Sequence, residues 1–124
     1  MGNPVVYFEI AGRNGEKLND FYCSIFGWKT DKCPYGGAYT VDSQSDDAGI
    51  PGHIFPVTED MDFNNHVTFY VEVDDLQTYL DKAESLGAKT LIPPQEIPGN
   101  MGSFALFLDP SDNCIGLYRL PDSN

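Results

Sequence analysis

Lysine and arginine are scarce in this chain: 7 of them stand against 19 Asp and Glu, leaving a formal charge of −12 at pH 7. A surface that negative repels phosphate backbones and anionic headgroups, which excludes nucleic acid and membrane surfaces as expected partners. The acidic residues are spread along the sequence rather than gathered in a tail, so they read as a solvating surface. No apolar run is long enough to span a bilayer. The opening "MGNPVV" has no basic region followed by an apolar stretch, so no signal peptide is expected. Cysteine is also scarce. Cys23, Cys33 and Cys114 form no CxxC pair, and an odd, scattered set points to reduced thiols and a cytoplasmic setting. Histidine occurs twice, as His53 and His66, and with the serines dispersed no Ser-His-Asp set is assigned. The glycines of "YGGAY" and "PGNMG" lack the strand–loop–helix context of a phosphate loop and read as turns.

What the chain does have is apolar material, 41% of 124 residues with 13% aromatic, enough for one compact domain over 1–124. "NPVVYFEI" is β-branched and aromatic, hence a strand. "GEKLNDFYCSIFG" follows, with Leu18, Phe21, Tyr22, Ile25 and Phe26 on one helical face and Gly27 as its left-handed stop. "WKTDKC", "GGAYTVDS" and "GIPGHIFPV" are shorter strands, and "DSQSDDAG" is a polar loop. The order then repeats. "HVTFYVEV" is a strand, and Asp74 or Asp75 caps a helix, with Gln77 placed as in a capping box after Asp74. That helix buries Leu76, Tyr79, Leu80 and Ala83 and stops at Gly87. "KTLIPPQEI", "SFALFLD" and "CIGLYR" complete it, with Pro110 and a left-handed Asp112 or Asn113 in the last turn.

Each half therefore reads β-α-β-β-β. The step from Tyr7 to His66 matches, within one residue, the step from Gly27 to Gly87. The first module is expected over about 3–57, a linker over 58–64, and the second module over about 65–120. One such unit covers its sheet with a helix on one face only. Two of them together predict an α+β fold: a curved, partly open eight-stranded sheet with helices outside and a hollow within. Strand alternation sorts the faces. Val6, Phe8, Ile10, Val67, Phe69, Val71, Val73, Ile115 and Leu117 fall in the packing phase. Tyr7, Glu9, His66, Thr68, Tyr70, Glu72, Cys114, Gly116 and Tyr118 fall in the opposite phase, which is expected to line the hollow.

The stretches "FYCSIFGWK", "HVTFYVEVDDLQTYLDKAESLGAK" and "FLDPSDNCIGLY" resemble the glyoxalase / bleomycin resistance / extradiol dioxygenase (vicinal oxygen chelate) superfamily over nearly the whole chain. The resemblance implies that fold, a homodimer as the commoner assembly, and, in metal-dependent members, a divalent ion held by His, Glu or Gln. Carried over residue by residue, His66 matches a ligand position, Gly52 or His53 falls at a second, and Tyr7 and Gly116 stand where two more ligands would be. A full metal set is therefore not expected, and a divalent metal cofactor is disfavoured.

Two functions follow as expectations. The first is small-molecule binding through Tyr7, Glu9, His66, Thr68, Tyr70 and Tyr118, with a cationic or neutral guest favoured by the net charge. The second is a glyoxalase-like lyase or isomerase, or a metal-dependent dioxygenase-type enzyme. There Glu9 would be the base, its pKa raised by desolvation, and His66 or Tyr7 would donate to the developing enolate. A third role, assembly through Trp28, is weaker, because a lone tryptophan after a helix reads as core.

Overall fold

The computed structural model describes residues 2–33, 37–43, 48–61 and 65–122. The elements run β1 (Val5–Gly12), α1 (Gly15–Phe26), β2 (Lys29–Lys32), β3 (Tyr39–Asp42), β4 (Gly52–Pro56), β5 (His66–Glu72), α2 (Leu76–Ser85), β6 (Lys89–Glu96), β7 (Ser103–Leu108) and β8 (Cys114–Arg119). This is the β-α-β-β-β order twice over. The eight strands form one mixed sheet in the order β2-β3-β4-β1-β5-β8-β7-β6. The chain divides into two compact units, Tyr7–Thr68 and Met1–Val6 with Phe69–Asn124. Residues 44–47 of the expected "DSQSDDAG" loop lie outside the described residues.

In the first unit, β1 runs parallel to β4, and β2, β3 and β4 pair antiparallel. Asn14 caps α1 by accepting from the Lys17 N–H at 3.0 Å, and Gly27 ends it at φ 68°, donating its N–H to the Cys23 carbonyl. Ile10, Val41 and Ile54 form the core, with Phe8, Leu18, Tyr22, Trp28 and Tyr39 packed on it. Trp28 meets the rings of Phe8, Tyr22 and Phe26, so it belongs to this core. The helical face read from the sequence is narrower than expected. Leu18 and Tyr22, one turn apart, face the sheet, while Phe21, Ile25 and Phe26 are exposed.

The second unit repeats the plan, with β5 parallel to β8 and β6, β7 and β8 antiparallel. Its core is Val73, Leu76, Leu80, Ala105 and Leu117, with Val71, Tyr79 and Phe107 against it. The cap of α2 is Asp75, accepting from the Thr78 N–H at 3.0 Å. Asp74 does not cap, and there is no capping box: the Gln77 amide donates instead to Asp81, one turn on. Asp112 takes the left-handed turn conformation at φ 66°. The expected packing of Val67 and Phe69 under a helix does not occur. Val67 is 73% exposed and Phe69 40%. The α2 helix lies over β6, β7 and β8, and its core takes in only Val71 and Val73 from this stretch.

Two glycines stand beneath rings on the neighbouring parallel strand. Phe8 and Gly52 are register partners, as are Tyr70 and Gly116. A Cβ on Gly116 would sit 2.3 Å from Tyr70 Cδ2, and one on Gly52 would sit 2.4 Å from Phe8 Cδ2. Gly116→Ala is therefore expected to cost about 1–3 kcal/mol through overpacking. Urea unfolding measures it, and adding Tyr70→Ala should return part of the loss. A neutral Gly116→Ala would show that the ring moves aside freely.

Candidate functional site

In β1 the packing phase of Phe8 and Ile10 leaves Glu9 on the other face. In β4 the fully buried Ile54 belongs to the core and Gly52 lies under the Phe8 ring, so His53 has the opposite phase. His53 turns toward Glu9, its direct register partner. His66 opens β5, the strand on the other side of β1. The middle strand thus carries a carboxylate and each neighbour carries an imidazole, all within the first unit.

The three side chains are bonded to one another. His53 Nε2 donates to Glu9 Oε1 at 2.6 Å, and His66 Nε2 donates to Glu9 Oε2 at 2.5 Å. A carboxylate only accepts, so both rings carry hydrogen on Nε2. Glu9 is 6% exposed, whereas the His53 and His66 side chains keep 20% and 12%. The anion is the most buried of the three. Burial pushes the Glu9 carboxyl up, but the hydrogen bonds and charges of His53 and His66 overcome it and hold the pKa at about 2, below the ordinary 4.5. This corrects the expectation of a raised glutamate pKa. A carboxylate that weakly basic, with each oxygen bonded to an imidazole, is suited to orienting rings and not to taking a proton.

Tyr7 joins the cluster through its ring, whose centroid is 5.1 Å from that of His53, and Phe55 meets His53 edge-on at 6.3 Å. Thr68 is buried, two residues after His66 on the same strand. Tyr70 and Tyr118 lie in the second unit. There Tyr70 covers Gly116 and meets Phe104 edge-on, and the Tyr118 hydroxyl donates to the Met101 carbonyl at 2.7 Å. Burial, and then the Glu72 charge, pushes the Tyr118 phenol up. The sequence reading gave His53 no link to Glu9. The signal that finds it is the register of two parallel strands, which sequence alternation alone does not supply.

A scan for known families matches residues 5–117 to the Glyoxalase/Bleomycin resistance protein/Dioxygenase superfamily. The chain belongs to that superfamily. Among curated proteins it is similar to the putative glyoxylase CFP32 of Mycobacterium tuberculosis and of Mycobacterium bovis, 28% identical over 111 residues that cover 80% of this chain. It spans 39% of the length of those relatives. Among solved structures, a hypothetical protein from Bacillus halodurans matches over 100% of this chain and 99% of its own, at 11% identity and TM-score 0.66. The Mn(II)-bound glyoxalase of Novosphingobium aromaticivorans matches over 98% of this chain and 42% of its own, at 12% identity and TM-score 0.65. These two likenesses show the superfamily's fold. No helix among the described residues is long and apolar enough to cross a membrane.

For a divalent ion of the kind metal-dependent members of the superfamily hold, the candidate side chains that the strands bring together are Glu9, His53 and His66. Among the described residues no group of three or more His, Cys, Asp or Glu side chains is arranged to hold a metal. His53 and His66 each meet Glu9 at hydrogen-bond length. At the last-strand ligand position, Gly116 offers no donor, and the Tyr70 ring fills the space a side chain would take.

Proposed function

We propose that this superfamily member is a small-molecule-binding domain whose polar anchor is the His53–Glu9–His66 cluster. The observation that carries this reading is the pairing of a buried, doubly bonded carboxylate with two imidazoles that keep an exposed edge. A binding site needs a few fixed polar groups set in an apolar and aromatic surround. Glu9 fixes both rings, and Tyr7 and Phe55 supply aromatic surface beside His53. The −12 charge favours a cationic or neutral guest. The superfamily's own description includes bleomycin resistance proteins, which makes bleomycin a natural first ligand to try.

The test is calorimetric titration and thermal shift with bleomycin and with a panel of cationic aromatic compounds. At a hundredfold excess over Kd a guest stabilises by about 2.7 kcal/mol. At least one compound should raise the midpoint of the native chain and lose at least tenfold in affinity in His66→Ala. A panel that moves nothing, or one that binds His66→Ala equally well, contradicts the proposal.

A further inference from the structure

We infer that the outward stripe of α1, made of Lys17, Asp20, Phe21, Ser24 and Ile25, is an interaction surface for the same stripe of a second copy of this chain. The two helices pack antiparallel about a two-fold axis beside Phe21. The inference stands apart from the binding reading above, because it uses none of the cluster's residues.

Helix α1 carries Leu18, Phe21, Tyr22, Ile25 and Phe26, and the sheet takes only Leu18 and Tyr22 into its core. Phe26 lies against the rings of Tyr22 and Trp28. That leaves Phe21, 55% exposed, and Ile25, 58% exposed, one turn apart on the outer face. Phe21 is held in place from below. Its ring meets Tyr22 edge-on at 5.0 Å, and Tyr22 stacks on Trp28 at 5.6 Å. An aromatic anchor already fixed by the core gives up little freedom when a partner covers it.

The shape of the face suits a second helix. A shallow concavity is lined by Lys17, Asp20, Phe21, Ser24 and Ile25. The first four are spaced i, i+3, i+4 and i+7, the corners of the hole that receives one side chain of a facing helix. An antiparallel copy that sets its Phe21 into this hole offers its own hole to Phe21 of the first. Each copy then supplies knob and hole from one surface, as a two-fold interface requires.

The charges select the same arrangement. At −12 apiece two copies repel, but on this stripe Lys17 balances Asp20. The last turn of α1 holds no basic residue, so its own side chains do not offset the negative end of the helix dipole. When the two Phe21 side chains meet at the axis, Lys17 of each copy falls level with the last turn of the other helix. Parallel packing would instead set Lys17 against its own copy. Two large apolar side chains per copy cover far less than the roughly 800 Å2 a partner buries in a standard interface, so the association is weak, on the order of 0.1 mM.

Analytical ultracentrifugation of the full chain tests this at about 0.15 M salt, where repulsion is screened beyond about 8 Å. The native chain should self-associate as its concentration rises toward about tenfold above that dissociation constant. Phe21→Glu and Ile25→Glu, checked for folding by circular dichroism, should each weaken association at least tenfold, as loss of an interface anchor does. Phe21→Lys should weaken it likewise, and an equimolar mixture of Phe21→Glu with Phe21→Lys should restore it, because the axis sets those positions against each other. Association absent from the native chain, or unchanged in both glutamate variants, overturns the inference. A mixture that restores nothing overturns the two-fold antiparallel arrangement. A native chain that stays monomeric yet binds a synthetic Lys/Leu amphipathic peptide, and loses it in Phe21→Glu, gives this face to a foreign cationic helix and overturns the second copy as its occupant.

Discussion

Glu9→Ala should lower the stability of the folded chain by about 3–5 kcal/mol at pH 7, the cost of removing one partner from a buried charge cluster. Three terms act together. Both imidazoles lose the acceptor of their Nε2–H while retaining only 20% and 12% side-chain exposure, so water replaces it poorly. The methylenes of a residue 6% exposed leave a void between β4 and β5. The ordering of the His53 ring against Tyr7 and Phe55 loses its anchor. Urea denaturation monitored by tryptophan fluorescence is suitable, because the single Trp28 lies in the core of the same unit. Glu9→Gln keeps the volume and one acceptor oxygen, so its loss should be smaller than that of alanine. A Glu9→Ala chain within about 0.5 kcal/mol of native, the scale of a surface substitution, would mean that the cluster is not a structural unit.

The second large effect is on acid stability. The folded Glu9 carboxyl titrates at about 2 and the unfolded one at 4.5. The folded state therefore binds the proton less readily, and this group's stabilisation is complete above pH 4.5 and falls away between pH 4.5 and 2. Its size is about 3 kcal/mol at 1.36 kcal/mol per pKa unit. Asp60, Asp75 and Asp109 are also held down by hydrogen bonds, but they are fully exposed and are common to every variant. The comparison that isolates Glu9 is the slope of unfolding free energy against pH for the native chain and for Glu9→Gln. The native slope should be steeper between pH 4.5 and 2, and the curves should run parallel above it. Parallel curves throughout would contradict the account.

Much of the fold was legible because alternation and helical spacing are local. The phase of Phe8 and Ile10 gave the core side of β1, and Leu76 with Leu80 gave the core stripe of α2. Gly27 supplied the left-handed stop of α1 as read. What escaped the sequence depended on how far each helix reaches. Phe21 and Ile25 share the helical face of Leu18 and Tyr22 on a wheel, yet only the latter two meet the sheet, and Val67 and Phe69 share the phase of Val71 without its burial.

The site divides in the same way. Tyr7, Glu9, His66 and Thr68 could be set on one face from alternation alone. The bond from His53 to Glu9 could not, because it depends on the parallel register of strands β1 and β4, which are separated by a helix and two other strands. The direction of the Glu9 shift depends on that bond as well. Desolvation, the only contribution a sequence suggests, acts in the opposite sense to the two imidazoles.

The central claim is that Glu9 stays ionised inside the fold because two imidazoles hold it. Carbon-13 labelling of glutamate and NMR titration of the Glu9 Cδ resonance from pH 7 downward tests it most directly. The account predicts a midpoint near 2, moving up toward 4.5 or beyond when His53 and His66 are both replaced by glutamine. A native midpoint at or above 4.5 would contradict it.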